Sequence, residues 1–272
     1  MDTGKCTIDQ VVYNAATFSG LPAHEVRRKR RFIVCPECDG PGYFRKASKS
    51  GQAACFGARP HKIGCSLAAP EHEGGGDTGT DEEDERINDG ERIVVDFDYG
   101  GASGKHIHGP TGTETRRGGS KFIGGSHPIE SKMHRRLSTL LRNLITSAQF
   151  RQSRQILEIA GHGEYEVKSF FTNFVDVRKA MVGRYAGYWG LISDVRFGDD
   201  KTLWFNTGGR NDVSLCLKEE YVDELWARYG ISDVEDMAGA YMLVFGEIRS
   251  SKNDKKYIAM DGPAHLTIRL AS

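Results

Sequence analysis

Five side chains in one short polar stretch have the types and the spacing to hold a metal ion. Between Arg27 and Leu67 the chain reads RRKRRFIVCPECDGPGYFRKASKSGQAACFGARPHKIGCSL, which contains Cys35, Cys38, Cys55, His61 and Cys65. Cys35-Pro36-Glu37-Cys38 is the tight-turn spacing that aims two thiolates at one ion, and His61 with Cys65 supplies a second pair. A structural Zn²⁺ takes four such ligands in a closed tetrahedron. Of the five candidates, Cys35, Cys38, His61 and Cys65 have compact spacing. Cys55 falls inside an expected strand and stands as the substitute for His61. So short and polar a stretch buries little core, so bound zinc would supply much of its folding free energy.

The surrounding sequence predicts the elements that position these ligands. Phe32-Ile33-Val34 enters the first pair as a strand. Tyr43–Lys46 and Gln52–Phe56 suit the two arms of a hairpin turning at Ser48–Gly51. A zinc ribbon is built in this way, with one ligand pair on each side of a hairpin. The pattern of a CPEC pair, a basic Phe-Arg-Lys strand and a His/Cys pair resembles the N-terminal zinc-binding segment of CoiA-like competence proteins. Where those proteins carry a His-Phe-Ala-His element, this chain has Ala54-Cys55-Phe56-Gly57. The resemblance covers under a fifth of the chain and implies a zinc-binding module there.

Charge is balanced overall, with 37 Lys/Arg against 37 Asp/Glu, but it is distributed in opposed blocks. Residues 24–65 carry ten Lys/Arg against three Asp/Glu, whereas residues 71–91 carry ten acidic residues and one Arg86. A neutral total built this way points to a local anion-binding face. The run Arg27, Arg28, Lys29, Arg30, Arg31 beside the metal ligands, with Arg45 and Lys46 on the hairpin, is read as a set of phosphate contacts. No apolar run approaches the roughly 20 residues that cross a bilayer, so no membrane partner is expected. MDTGKCTIDQ lacks the regions of a signal peptide. A cytoplasmic protein with reduced thiols is expected, and Cys6 and Cys216 are read as ordinary thiols.

Composition divides the chain into a zinc-ribbon module at 1–69, an acidic disordered linker at 70–92, a central segment at 93–180 and a C-terminal domain at 181–272. In the central segment Ile93–Tyr99 reads as a strand, followed by a Gly-rich loop with His106, His108 and His127. No phosphate-binding GxxxxGK[ST] motif follows that strand. Ser131–Ser147 reads as an amphipathic helix starting at a Ser131 cap. Its stripe is Met133, Leu137, Leu140, Leu141, Leu144 and Ile145, and Arg135 and Arg136 lie on its outer, basic face.

From Tyr188 the pattern turns to short strands: Tyr188–Val195, Thr202–Asn206 and Asp212–Leu217. A helix at Glu219–Tyr229 follows, then strands at Ala240–Arg249 and Lys256–Met260 and an edge at Leu266–Leu270. Three strands, a helix and two strands resemble the OB-fold, a partly open five-stranded barrel. The expected class is thus α+β and mainly β: zinc ribbon, short helical middle segment, and an OB-fold-like barrel with one helix. That resemblance implies single-strand binding on the face of the second and third strands and the loops beside it. The positions there are Phe197, Lys201, Trp204, Phe205, Arg210, Arg249, Lys252, Lys255, Lys256 and Tyr257. Aromatic faces stack bases at roughly 1–3 kcal/mol each, and the cations take phosphates. Alternation sends Trp204 and Phe205 to opposite faces, so one of the two is core.

The sequence therefore favours a non-catalytic, zinc-containing protein that binds single-stranded DNA or RNA. Two other readings compete with it. One is an adapter binding other proteins of a nucleic-acid-processing complex. The other is a metal-dependent nuclease using Glu166 and Lys168, an E-x-K triplet, with Asp96 or Asp98. No Ser/His/Asp order, acid–base pair or cofactor fingerprint stands out.

Overall fold

Strand-forming runs dominate the chain, whose residues 1, 3–49, 53–68, 92–95, 97 and 132–271 are described by a computed structural model. The acidic stretch at 70–91 and His106, His108 and His127 lie outside these residues.

The N-terminal part is built on β1 (Thr3–Cys6), which lies between β2 (Val12–Asn14) and β3 (Ile33–Val34) in an antiparallel sheet. Asn14 ends β2 and caps α1 (Ala15–Ser19), its side chain accepting from the Thr17 N–H at 2.7 Å. A second helix, α2 (Ala23–Lys29), runs into a 3₁₀ turn at Arg30–Phe32. The expected hairpin is present as β4 (Gly42–Arg45) paired antiparallel with β5 (Cys55–Ala58). Phe18, Phe44 and Phe56 meet with ring centroids 4.7–5.3 Å apart and, with Cys6, Val26 and Ile33, form a small core of their own.

In the central segment β6 (Arg92–Val95) runs parallel to both β7 (Lys132–Arg135) and β8 (Ile156–Ile159), and β9 (Gly163–Glu166) folds back antiparallel on β8. The helix predicted from Ser131 starts later, as α3 (Leu137–Thr146). Lys132–Arg135 instead satisfies the backbone groups along an open side of β6, a tertiary demand that overrides local helical periodicity. From Leu137 onward the predicted stripe holds, with Leu137, Leu140, Leu141 and Leu144 buried. The short α4 (Ala148–Gln152) and α5 (Val167–Phe170) lead to β10 (Phe171–Asn173).

The C-terminal strands are β11 (Tyr185–Leu191), β12 (Asp194–Phe197), β13 (Leu203–Asn206), β14 (Ser214–Leu217), β15 (Tyr241–Ser250), β16 (Lys256–Met260) and β17 (Leu266–Arg269). One helix, α6 (Val222–Tyr229), separates β14 from β15. The strand expected at Tyr188–Val195 is two, β11 and β12, interrupted at Ile192-Ser193. β12, β13 and β14 form an antiparallel meander. β14 then pairs parallel with β16, β16 antiparallel with β15, and β15 antiparallel with β11. β12 ends this path of pairings, and the chain joins it to β11, near the other end, through Ile192-Ser193. β10 adds parallel to β11, and β17 pairs with β15.

Residues on both sides of position 180 share one core, among them Ile93, Leu140, Leu157, Phe170, Phe205, Phe245 and Leu266. The class is mixed α+β, rich in strands with few helices.

Candidate functional site

The four ligand candidates with compact spacing meet. One donor atom from each of Cys35, Cys38, His61 and Cys65 lies within 4.8 Å of all the others. Cys35 Sγ and Cys65 Sγ are 3.8 Å apart, Cys38 Sγ and His61 Nδ1 3.6 Å, and Cys65 Sγ and His61 Nδ1 3.2 Å. Tetrahedral sulfur ligands at about 2.3 Å from an ion stand about 3.8 Å from one another, so the cluster has the size of a closed four-coordinate site. Cys55, on β5, is not part of it.

Backbone geometry fixes this cluster. Asp39 N–H donates to Cys35 O at 3.0 Å and Cys35 N–H to Gly40 O at 2.9 Å, with Asp39 in the left-handed region at φ 52°. Gly40 is required here, since a Cβ on it would stand 2.6 Å from the Pro60 carbonyl oxygen and 3.2 Å from Cys38 Sγ. The Lys62 N–H donates to Cys38 Sγ at 3.5 Å and, with lesser help from Gly40 and His61, holds that thiol down at about 6. Burial, with the neighbouring thiols, pushes Cys65 up to about 11. A metal ion removes that conflict by stabilising every thiolate at once. Glu37 ties the two ligand pairs together, accepting from Ser66 N–H at 2.8 Å and Ser66 Oγ at 2.5 Å.

The cation run beside these ligands is divided between surface and interior. Arg27 is exposed, and Arg28 is exposed but bridges Glu25 at 3.1 Å. Lys29 is buried against Asp9 at 2.9 Å and Glu25 at 3.1 Å. Arg30, only 4% exposed, donates to both carboxylate oxygens of Glu235 at 2.9 and 2.7 Å and to Phe44 O at 2.9 Å. It also lies 3.3 Å from Asp194 Oδ1, while Arg31 donates to Asp194 Oδ2 at 3.0 and 3.2 Å. Lys29, Arg30 and Arg31 thus hold structure together, a correction to their reading as phosphate contacts. Beside this lock Tyr43 packs on Ala238 and Ala271, and its ring lies where a side chain on Gly239 (φ 86°) would be.

The other predicted contacts are scattered. Arg135 is buried at 5% exposure, which removes it from any solvent-facing surface, and Arg136 is half-buried at the start of α3. Arg45 is half-buried, and Lys46 is exposed, its N–H donating to Glu235 at 3.3 Å. Lys201 bridges Glu219 at 2.8 Å. Arg210, Arg249 and Lys252 are exposed.

One sheet face does gather the expected aromatics and cations. Register pairs Arg196 with Trp204 and Trp204 with Cys216, then Cys216 with Ala259. The adjoining outward row is Asp194, Asn206, Ser214, Tyr257 and Arg249. Phe205 points the other way and is fully buried, while Trp204 is half-buried with its ring centroid 6.2 Å from that of Tyr257. Phe197 sits on the opposite side, beside Trp226. At the end of the face under the N-terminal part lies a buried polar row that sequence reading missed. There Ser214 Oγ donates to Asn206 Oδ1 at 3.0 Å and Asn206 Nδ2 to Asp194 Oδ2 at 3.3 Å. Arg196 was missed too, although counting back from the turn at Gly198–Thr202 pairs it with Trp204.

Glu166 and Lys168 pair with each other at 3.1 Å, and Asp96 and Asp98 lie outside the described residues. No described helix is long and apolar enough to cross a membrane.

No protein-family model and no curated protein matches the chain. Among solved structures it is similar to a Leishmania major Friedlin protein assigned as an aspartyl-tRNA synthetase, at 9% identity and a TM-score of 0.25. The likeness spans 38% of this chain and 21% of that one. Likeness of that degree fixes neither fold nor function.

Proposed function

We propose that this is a zinc-containing, non-catalytic nucleic-acid-binding protein that holds single-stranded DNA or RNA on the outward face of its C-terminal sheet. Zinc is the ion that suits three thiolates and an imidazole in a closed tetrahedron. The hairpin of β4 and β5 between the two ligand pairs is then a zinc ribbon. The barrel is read as an OB-fold, with β11 and β12 as the bent first strand, β13 and β14 as the second and third, and β15 and β16 as the fourth and fifth. The pairing path and the helix after the third strand support that reading.

The observation that carries the function is the Trp204–Tyr257 pair, outward on the second to fifth strands with Arg196 and Arg249 in register on either side. Stacking platforms flanked by cations are how single strands are bound without base readout. Fluorescence anisotropy of the zinc-loaded chain with labelled single-stranded and duplex oligonucleotides, across a salt series, tests it. Salt-sensitive binding that favours single strands is expected. Trp204→Ala should weaken that binding by about 1–3 kcal/mol. Absence of binding at low salt overturns the proposal.

A further inference from the structure

We infer that the N-terminal module and the barrel together build one groove for the phosphodiester backbone of a single strand, with Arg27 of the module and Arg196 of the barrel as its phosphate contacts and the carbonyl-bound ammonium of Lys255 adding only fixed positive charge. The inference rests on the nucleic-acid reading above and adds to it a composite site. In that site the module is a wall rather than a separate binding unit.

Charge accounting at the junction leads to these residues. Arg30 and Arg31 face Asp194 and Glu235, two cations against two carboxylates, so the lock itself is neutral. Arg27 and Arg196 are exposed, and neither has a hydrogen bond or ion pair with another described residue. Arg196 is two residues after Asp194, which Arg31 bridges, and partial burial with the like charges of Arg31 and then Arg27 outweighs Asp194 and Asp199 to hold its guanidinium below its usual range. Lys255 is half-buried, with its Nζ donating to the carbonyls of Gly209 at 3.4 Å, Arg210 at 3.2 Å and Asp212 at 2.6 Å. Those contacts fix the ammonium group in place. Burial, then repulsion from Arg31, Lys256 and Arg196, brings it down to about 8. Asp199 and Asp212 offset part of this charge, but Arg27 and Arg196 are left without a paired carboxylate among the described residues, and unpaired cations gathered at one junction suit an external anion.

The position of the crowd selects a strand rather than a small anion. Arg196 is the cross-strand neighbour of Trp204, and Lys255 is two residues before Tyr257, so the cations border the aromatic floor. In the same register row as Tyr257, Asp194, Asn206 and Ser214 are buried. Arg31 bridges Asp194 of that row and Arg27 is four residues before Arg31, so a chain stacking on Trp204 and Tyr257 would meet the module beside Arg27. Several phosphates in series beside two rings match a single strand, whereas a duplex offers no exposed base to stack.

The test uses the full chain loaded with zinc, and labelled oligothymidylate across a salt series. Each phosphate contact to a single strand contributes about 0.7 to the log–log salt slope, equal to about fivefold in Kd at 0.1 M salt. Arg27→Ala and Arg196→Ala should each lower the slope by that amount and raise Kd about fivefold. Both arginines are exposed, and an unchanged circular-dichroism melt verifies that the variants are folded. If Trp204→Ala weakens binding but Arg27→Ala and Arg196→Ala leave Kd and slope unchanged, the barrel binds alone and the composite groove is overturned while the proposed function stands. If the unaltered chain binds no single strand, the proposed function falls and the groove with it.

Discussion

At the scale of single residues, ligand identity was legible because metal coordination restricts spacing. Two residues between Cys35 and Cys38, and three between His61 and Cys65, put pairs of donors on tight turns that local backbone geometry alone closes. Cys55 stayed open in the sequence as the substitute for His61, because spacing alone does not tell a strand thiol from a turn imidazole; the fold leaves it on β5 outside the cluster. Exchange of Cys38 or Cys65 for serine should accordingly take zinc content from about one per chain to near zero. Cys55→Ser should leave it at one, as read by elemental analysis after gel filtration. Zinc lost from Cys55→Ser and retained in Cys65→Ser would mean that the ligand set is wrong. Arg30 shows what was not legible. Within five consecutive cations nothing local marks the one that is buried, because its partners Asp194 and Glu235 are 164 and 205 positions away. Burial of an arginine is decided by distant carboxylates, and a sequence window does not contain them.

Elements were recovered where their signals are local and lost where a neighbouring strand decides. The stripe of α3 and the β4–β5 hairpin follow from periodicity and turn chemistry, whereas Lys132–Arg135 became a strand to complete β6. The 3₁₀ turn Arg30–Phe32 carries the two arginines that meet Asp194 and Glu235, and Arg30–Glu235 is the shortest of these pairs. Arg30 and Glu235 are 5% and 14% exposed at the side chain, and removing one partner of a buried pair costs about 3–5 kcal/mol. Arg30→Ala should lower the unfolding free energy by about 3 kcal/mol at neutral pH, measured by urea titration. The pH dependence has a definite sign. Burial pushes the Glu235 carboxyl up, but the Arg30 hydrogen bonds and charge outweigh it and hold the group below the ordinary glutamate range. A depressed carboxyl contributes stability above its unfolded pKa and loses it as pH falls through the folded one. The gap between the unaltered chain and Arg30→Ala should therefore narrow as urea titrations move from pH 7 to the acid side of that range. A gap that persists there would place Arg30's contribution in its Phe44 contact and packing instead.

At the scale of the whole molecule, the metal cluster and the barrel are joined through a few side chains close to the ligands. Arg30 and Arg31 precede Cys35 by five and four positions, and Tyr43, on Ala238 and Gly239, follows Cys38 by five. Among the described residues the module's own core is six buried side chains, few enough that the proposed zinc would carry much of the stability of the two cysteine-bearing turns. The central segment and the C-terminal strands share a core that extends from Ile93 to Ile268 and does not include these residues. Removing the metal should thus loosen the module and the contacts it makes, while the barrel stays folded. Hydrogen exchange with and without a zinc chelator measures this directly. Faster exchange is expected across 33–66 and also at 235–240, where the module docks, with β13, β14 and α6 unchanged. That outcome would make zinc a determinant of the junction between Arg27 and Arg196, although neither residue binds it. Faster exchange confined to 35–65 would show that the Arg30 lock alone keeps the module seated. Global loss of protection would show instead that the barrel depends on the module to fold.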